Sequence, residues 1–139
     1  KGQEFGTVTK RKRRCGWFDS VLVGQSIAIN GITDVVLTKL DVLDELEEIQ
    51  VCVGYETKHK KYNYLPFDEN IQNILMPIYE TIPGWQESTF GLTSWDDLPK
   101  KAQSYINFLE SKIQKKISII STGPDRAYTI DRNNLLGNN

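Results

Sequence analysis

Strand-like apolar runs separated by helical spacings predict an α/β fold with at least partly parallel strand pairing. Three observations carry that reading. Ile49, Val51, Val53 and Tyr55 alternate with Gln50, Cys52 and Gly54, which is the period of a strand. Ala102, Tyr105, Ile106, Leu109 and Ile113 recur behind Pro99 at the spacing of one helix face. Directly after that face, Lys116–Ser121 is β-branched enough to be a further strand.

Taken in order, the first fourteen residues hold two glycines and six bases against one acid, and read as a loop with a charged end. From Asp19 the spacing of Val21, Leu22, Ala28 and Ile29 predicts a helix, with Asp19 at its start and Asn30-Gly31 as its stop. Ile32 to Asp41 reads as a buried strand whose C-terminal end delivers Thr38, Lys39 and Asp41. After the strand around residues 49–55, Thr57 to Lys61 is a polar turn and Tyr62 to Leu65 returns as a short strand. Asp68 to Leu75 is a short helix that Pro77 ends, because a proline disfavours the helical conformation of the residue before it. Ile78 to Ile82 runs extended. Residues 83–96 form a loop long enough to be either functional or well packed. Pro99 suits the first turn of the following helix. Thr122-Gly123-Pro124-Asp125 is a turn, and Asn133 to Asn139 a frayed end. No internal repeat or low-complexity linker divides the chain, so residues 1–139 read as one unit.

Composition narrows the function. With 139 residues and 39% hydrophobic content the chain is long enough to bury a core. Its 17 Lys+Arg against 18 Asp+Glu argue against a dedicated nucleic-acid binder, which normally carries a large basic surplus. No apolar run approaches the ~20 residues of a membrane span. The expectation is therefore a soluble, cytoplasmic protein with neither a membrane nor a nucleic acid as partner. Two cysteines, Cys15 and Cys52, and one imidazole, His59, support neither a four-ligand metal site nor a Ser/His/Asp triad. The opening on Lys1 rather than Met reads as a piece of something longer.

Two strand ends carry polar groups of the kind that read a purine base. Ligands of open α/β sheets sit outside the carboxyl ends of strands. Thr38-Lys39-Leu40-Asp41 resembles the Asn-Lys-x-Asp motif with which GTP-binding proteins read guanine, with Thr in place of Asn. Guanine offers two neighbouring donors, N1–H and the exocyclic amine, and one ionised carboxylate accepts both; adenine has no such pair. A bidentate contact of that kind discriminates between bases by about 1–3 kcal/mol. The Lys39 stem would lie over the ring face with its ammonium solvated. Ser121-Thr122-Gly123-Pro124 could let backbone donors approach an acceptor such as the guanine O6. Read blandly, both are a solvated strand end and a Gly-Pro turn.

The basic run Lys10 to Arg14 also has more than one reading. It is a solvated charge run, a localisation signal, a nucleic-acid patch, or a mobile loop whose guanidinium forks clamp carboxylate and phosphate, with Thr7 and Thr9 adding hydroxyls. Asp41, Asp44, Glu45, Glu47 and Glu48 form an acidic stretch that offsets its charge. The rival to a base-reading enzyme segment is thus a stand-alone nucleotide- or nucleic-acid-binding module using residues 10–14.

Four segments then resemble one family: Phe5 to Asp19, Leu37 to Asp44, Tyr79 to Thr89 with Asp97-Leu98-Pro99, and Ile119 to Arg126. In order and spacing they look like the C-terminal part of the adenylosuccinate synthetases. The resemblance implies a C-terminal segment of a larger P-loop-like GTP-binding ligase fold, with part of a mostly parallel sheet and flanking helices. It also implies a ligase of purine and AMP biosynthesis that joins IMP and L-aspartate to adenylosuccinate at the expense of GTP. A magnesium cofactor and a homodimer follow from the same resemblance. By motif position, Thr7, Val8, Thr9, Lys10, Arg11, Lys12 and Arg13 correspond to the loop that closes on aspartate, with Arg11 also meeting IMP and Arg13 near GTP. Lys39, Leu40, Asp41, Ser121, Thr122, Gly123 and Pro124 correspond to the guanine contacts.

The chain departs from the family in the basic loop, where Thr-Thr-Gly-Arg or Ser-Thr-Gly-Arg is usual and Val8-Thr9-Lys10-Arg11 stands here. Val8 removes a hydroxyl, and Lys10 replaces a residue that takes positive φ at little cost. The family's glycine-rich phosphate loop with its catalytic Asp, its catalytic His and its magnesium ligands belong to an N-terminal portion with no counterpart here. No catalytic residue is therefore expected among the 139, and the chain alone is expected to be inactive.

Overall fold

A computed structural model describes residues 4–6 and 8–137. Its elements run β1 (Phe18–Asp19), α1 (Ser20–Asn30), β2 (Val35–Leu37), a 3-10 turn (Leu40–Leu43), β3 (Glu48–Glu56), β4 (Lys61–Tyr62), α2 (Glu69–Gln72), β5 (Met76–Pro83), α3 (Lys100–Ile113), β6 (Ile117–Ser121) and β7 (Thr129–Asp131).

The predicted start and stop of α1 are observed. Asp19 caps α1 by accepting the Leu22 N–H at 2.9 Å, and Gly31 closes it at φ +63° with its N–H on the Ile27 carbonyl. Asp68 caps α2 through the Asn70 N–H, also at 2.9 Å. All five expected residues of the α3 face are buried and join one core with Ile49, Val51, Leu98, Ile117, Ile120 and Ile130. Full burial of each Leu or Ile contributes about 1.5–3 kcal/mol, so this face alone accounts for much of the hold of α3 on the sheets.

The strands form two sheets. In one, β3 lies between β1, which is parallel to it, and the antiparallel β5, and also pairs antiparallel with β4. In the other the order is β2-β6-β7, with β2 and β6 parallel and β6 and β7 antiparallel. The α/β class holds, while the pairing is mixed rather than mostly parallel. The reason is connection length: β3–β4 and β6–β7 are joined by short turns, which only antiparallel neighbours can use.

Several elements differ in extent. The strand expected over 32–41 is only Val35–Leu37 and is half-buried, with Val36 54% exposed at the end of the strand order. It stops because Lys39 turns into the left-handed region at φ +61° and sends Leu40 into the core. The second short strand is Lys61–Tyr62 rather than Tyr62–Leu65, and α2 shrinks to Glu69–Gln72. Pro99 is the residue before α3 rather than inside its first turn. The β7 strand lies between the expected turn and the expected tail, where no element was assigned, held as Thr129 opposite Ser121 and Asp131 opposite Ile119. Among the described residues no helix is long and apolar enough to cross a membrane.

Candidate functional site

The parallel pairing of β2 with β6, Leu37 opposite Ile120, decides where the two polar segments go. Parallel neighbours end on the same side, so Thr38–Asp41 and Ser121–Pro124 leave the sheet next to each other. Two motifs 80 residues apart in sequence thus share one edge.

At the first strand end, Val42 N–H and Asp44 N–H donate to the carbonyls of Lys39 and Asp41, each at 3.3 Å, and close the 3-10 turn. Leu40 is 1% exposed, so its side chain belongs to the core and only its backbone can face a ligand. Asp41 stays partly exposed one residue further on. The turn is pinned from below by Asp44. Its buried carboxylate accepts from Trp85 Nε1 at 2.8 Å, Thr89 N–H at 2.9 Å and the Thr89 hydroxyl at 2.7 Å. The long loop is therefore packed against the 3-10 turn. Gly84 makes this approach feasible: a Cβ there would lie 1.8 Å from the Leu46 carbonyl oxygen.

At the second strand end Thr122 is fully consumed by the fold. Its hydroxyl donates to Leu92 O at 2.8 Å, its N–H to Tyr128 O at 2.9 Å, and its carbonyl accepts from Gly91 N–H at 3.2 Å. Its side chain does not face outward as a base contact would. The Ser121 hydroxyl donates to Gly123 O at 2.9 Å. Gly123 lies under two rings: an added Cβ would sit 2.7 Å from the Tyr128 ring and 3.2 Å from that of Phe90. Those rings meet edge-on at 5.2 Å. Among the described residues none of the backbone bonds that close this turn uses the Gly123 N–H. Pro124 is exposed beside it.

The basic segment is a hairpin rather than a featureless loop. Phe5 bridges Lys12, Gly6 N–H donates to Arg11 O, Lys10 N–H to Gly6 O and Arg13 N–H to Glu4 O, the last three at 2.8 Å. Lys10 takes φ +55°, the conformation expected of the residue that replaces glycine. Arg11 N–H donates to the Thr9 hydroxyl at 3.4 Å. Val8 to Arg14 are exposed, and Thr7 lies outside the described residues. Glu4 pairs with the Lys39 ammonium and faces the Arg13 guanidinium at 3.9 Å, which brings the hairpin to the first strand end. The hydrogen bond from Lys39, and the charges of Lys39 and Arg13, hold the Glu4 carboxyl below the usual carboxylate range against a smaller opposing effect of burial.

His59 stays apart, in an exposed turn where its N–H donates to the Thr57 hydroxyl. Sequence reasoning missed Glu4, Thr89, Phe90 and Tyr128 as parts of this site, and read Asp44 only as charge balance. The signal for Asp44 lay in its place three residues after Asp41 inside a resembling motif. The others depend on contacts that no local pattern shows.

A family model described as adenylosuccinate synthetase matches residues 1–130. The adenylosuccinate synthetase of Ehrlichia canis is 52% identical over 133 residues, 96% of this chain and 31% of the relative. That of Methylobacillus flagellatus is 50% identical over 130 residues, 94% of this chain and 30% of the relative. A solved structure described as fully ligated adenylosuccinate synthetase from Plasmodium falciparum superposes with a TM-score of 0.87 at 39% identity, over 94% of this chain and 32% of that one. The chain thus spans less than a third of the length of these curated relatives.

Proposed function

This chain belongs to the adenylosuccinate synthetase family, and from that membership we propose that its residues supply the guanine recognition and the aspartate and IMP recognition of a GTP-dependent ligase that joins IMP and L-aspartate to adenylosuccinate. The observation that carries the reading is the shared sheet edge: the parallel β2–β6 pair sends residues 38–41 and 121–124 out side by side. A purine set there would meet the Asp41 carboxylate on its N1–H and exocyclic amine, and the Gly123 N–H on O6. The Lys39 stem would cover one face. Leu40 and Thr122 serve the pocket as its frame, since their side chains are buried. Ser121 and Pro124 shape the turn around Gly123.

In the reaction so proposed, the GTP γ-phosphoryl group passes to the 6-oxygen of IMP, and the aspartate amine then displaces it as phosphate. The hairpin residues Thr7 to Arg13 bind rather than react. Arg11 meets IMP and the aspartate carboxylate, and Arg13, tied by Glu4 to the base-reading turn, lies toward GTP. Planar guanidinium groups suit both carboxylate and phosphate because they donate in pairs. Magnesium would lower the charge on the transferring phosphate. Among the described residues no group of three or more His, Cys, Asp or Glu could hold a metal ion. A homodimer and a cytoplasmic location belong to the same proposal.

The 139 residues alone are proposed to bind without turnover. The test offers the chain IMP, aspartate and GTP, alone and joined to the complementary portion of the Ehrlichia canis relative. Adenylosuccinate from the joined protein only is the expected result. Turnover by the chain alone, or stronger salt-sensitive binding of oligonucleotides than of GTP, would contradict the proposal.

A further inference from the structure

We propose that Glu4 is a positioning residue that couples the base-reading turn to the basic hairpin. One of its carboxylate oxygens holds the Lys39 ammonium, the other faces Arg13 Nη1, and its carbonyl accepts the Arg13 N–H. The inference rests on the guanine reading of Lys39 and Asp41 given above.

The physical case begins with Lys39. Its backbone is set by the left-handed turn at φ +61°, but four methylenes leave the stem many rotamers, and the entropy of that freedom opposes any single pose. Fixing the ammonium on a carboxylate confines that stem. The carboxylate comes from the hairpin, so the pose of Lys39 depends on whether the hairpin is in place. Arg13 makes the same point from the other side. Lys39 and Arg13 are two exposed cations drawn to one place, and without an intervening negative charge they would repel. Glu4 is the more covered partner, with its side chain 27% exposed against 51% for Lys39 and 60% for Arg13. The Glu4 carboxyl titrates below its usual range, which fits an ionised bridge at neutral pH.

One consequence follows by linkage. A ligand that fixes the hairpin fixes Lys39, so binding at the hairpin tightens base binding, and the effect is reciprocal. Aspartate should therefore raise GTP affinity, and Glu4 should carry that effect.

The test uses the full chain joined to the complementary portion of the Ehrlichia canis relative. Glu4→Gln keeps the size and removes the charge. It should raise KM for GTP and for aspartate together, each by up to about 5-fold, with kcat little changed. It should also abolish the gain in GTP affinity that saturating aspartate produces. Glu4→Asp, which keeps the charge on a shorter stem, should recover part of both. A rise in only one KM, or an aspartate effect that survives Glu4→Gln, overturns the coupling. Lys39→Met separates the two levels of inference. If it raises KM for GTP while Glu4→Gln changes nothing, Glu4 has no positioning role and the guanine reading stands. If Lys39→Met leaves KM for GTP unchanged, the guanine reading fails and the role of Glu4 falls with it.

Discussion

At the scale of single residues, Lys10 shows how a departure in sequence becomes a cost in backbone energy. It sits at φ +55° with its N–H on the Gly6 carbonyl. A side chain in the left-handed region costs about 1–2 kcal/mol, partly offset because glycine loses more freedom on ordering. Lys10→Gly should therefore stabilise the closed hairpin by up to about 1 kcal/mol. Hydrogen exchange checks this directly: the Gly6 and Arg13 amides should become more protected, and unchanged or weaker protection would contradict the assignment. That strain was legible in the sequence, since Lys10 stands where glycine is usual. The inward turn of Thr122 was not. Its hydroxyl partner, Leu92, lies 30 residues away, and nothing in Ser-Thr-Gly-Pro distinguishes a ligand contact from a frame residue.

Among the elements, the 3-10 turn and the long loop stand or fall together through Asp44. Asp44→Ala would leave the Trp85 indole N–H and both Thr89 donors without their acceptor in a buried place. Each unsatisfied buried group costs about 1–3 kcal/mol, so a loss of about 3 kcal/mol or more is expected in chemical denaturation. A loss under about 1 kcal/mol would mean that water replaces the carboxylate. Gly84→Ala should be at least as damaging, because the obstructing atom at 1.8 Å is backbone and cannot swing away. Sequence reasoning offered two fates for residues 83–96, functional or well packed, and both describe the loop in part. Trp85 and Thr89 are buried, whereas Phe90 is 53% exposed above Gly123. The main helices were legible because caps and apolar spacing are local signals. The true length of β2 was not, because it ends where Leu40 finds a core assembled from distant elements.

For the whole molecule, Glu110 joins α3 to both ends of the β6–β7 hairpin. Its carboxylate accepts from Ile117 N–H at 2.7 Å and from Arg132 Nη1 at 2.6 Å, with Lys116 at 3.4 Å, while the Arg132 guanidinium lies 4.0 Å from the Trp95 ring centre. Burial pushes the Glu110 carboxyl upward, but the Ile117 N–H and the Arg132 and Lys116 charges outweigh it and hold it below its usual range. A group depressed in the folded state contributes stability that is fully present above its unfolded value, near ~4.3, and lost as pH falls through the lower folded value. Glu110→Gln should thus cost about 2 kcal/mol at pH 7, and the gap to the parent should close as pH falls through the lowered folded value. A gap that persists at low pH would show that shape rather than charge is the source. The central claim, that the shared edge of β2 and β6 reads guanine, is met most directly by the nucleotide preference of the assembled ligase carrying Asp41→Asn. The exchange turns one acceptor into a donor, so use of GTP should fall and use of xanthosine triphosphate, which has a carbonyl where guanine has its amine, should rise. A bidentate contact of about 1–3 kcal/mol corresponds to a change of roughly 5- to 150-fold in relative kcat/KM. An unchanged preference between the two nucleotides would contradict the claim.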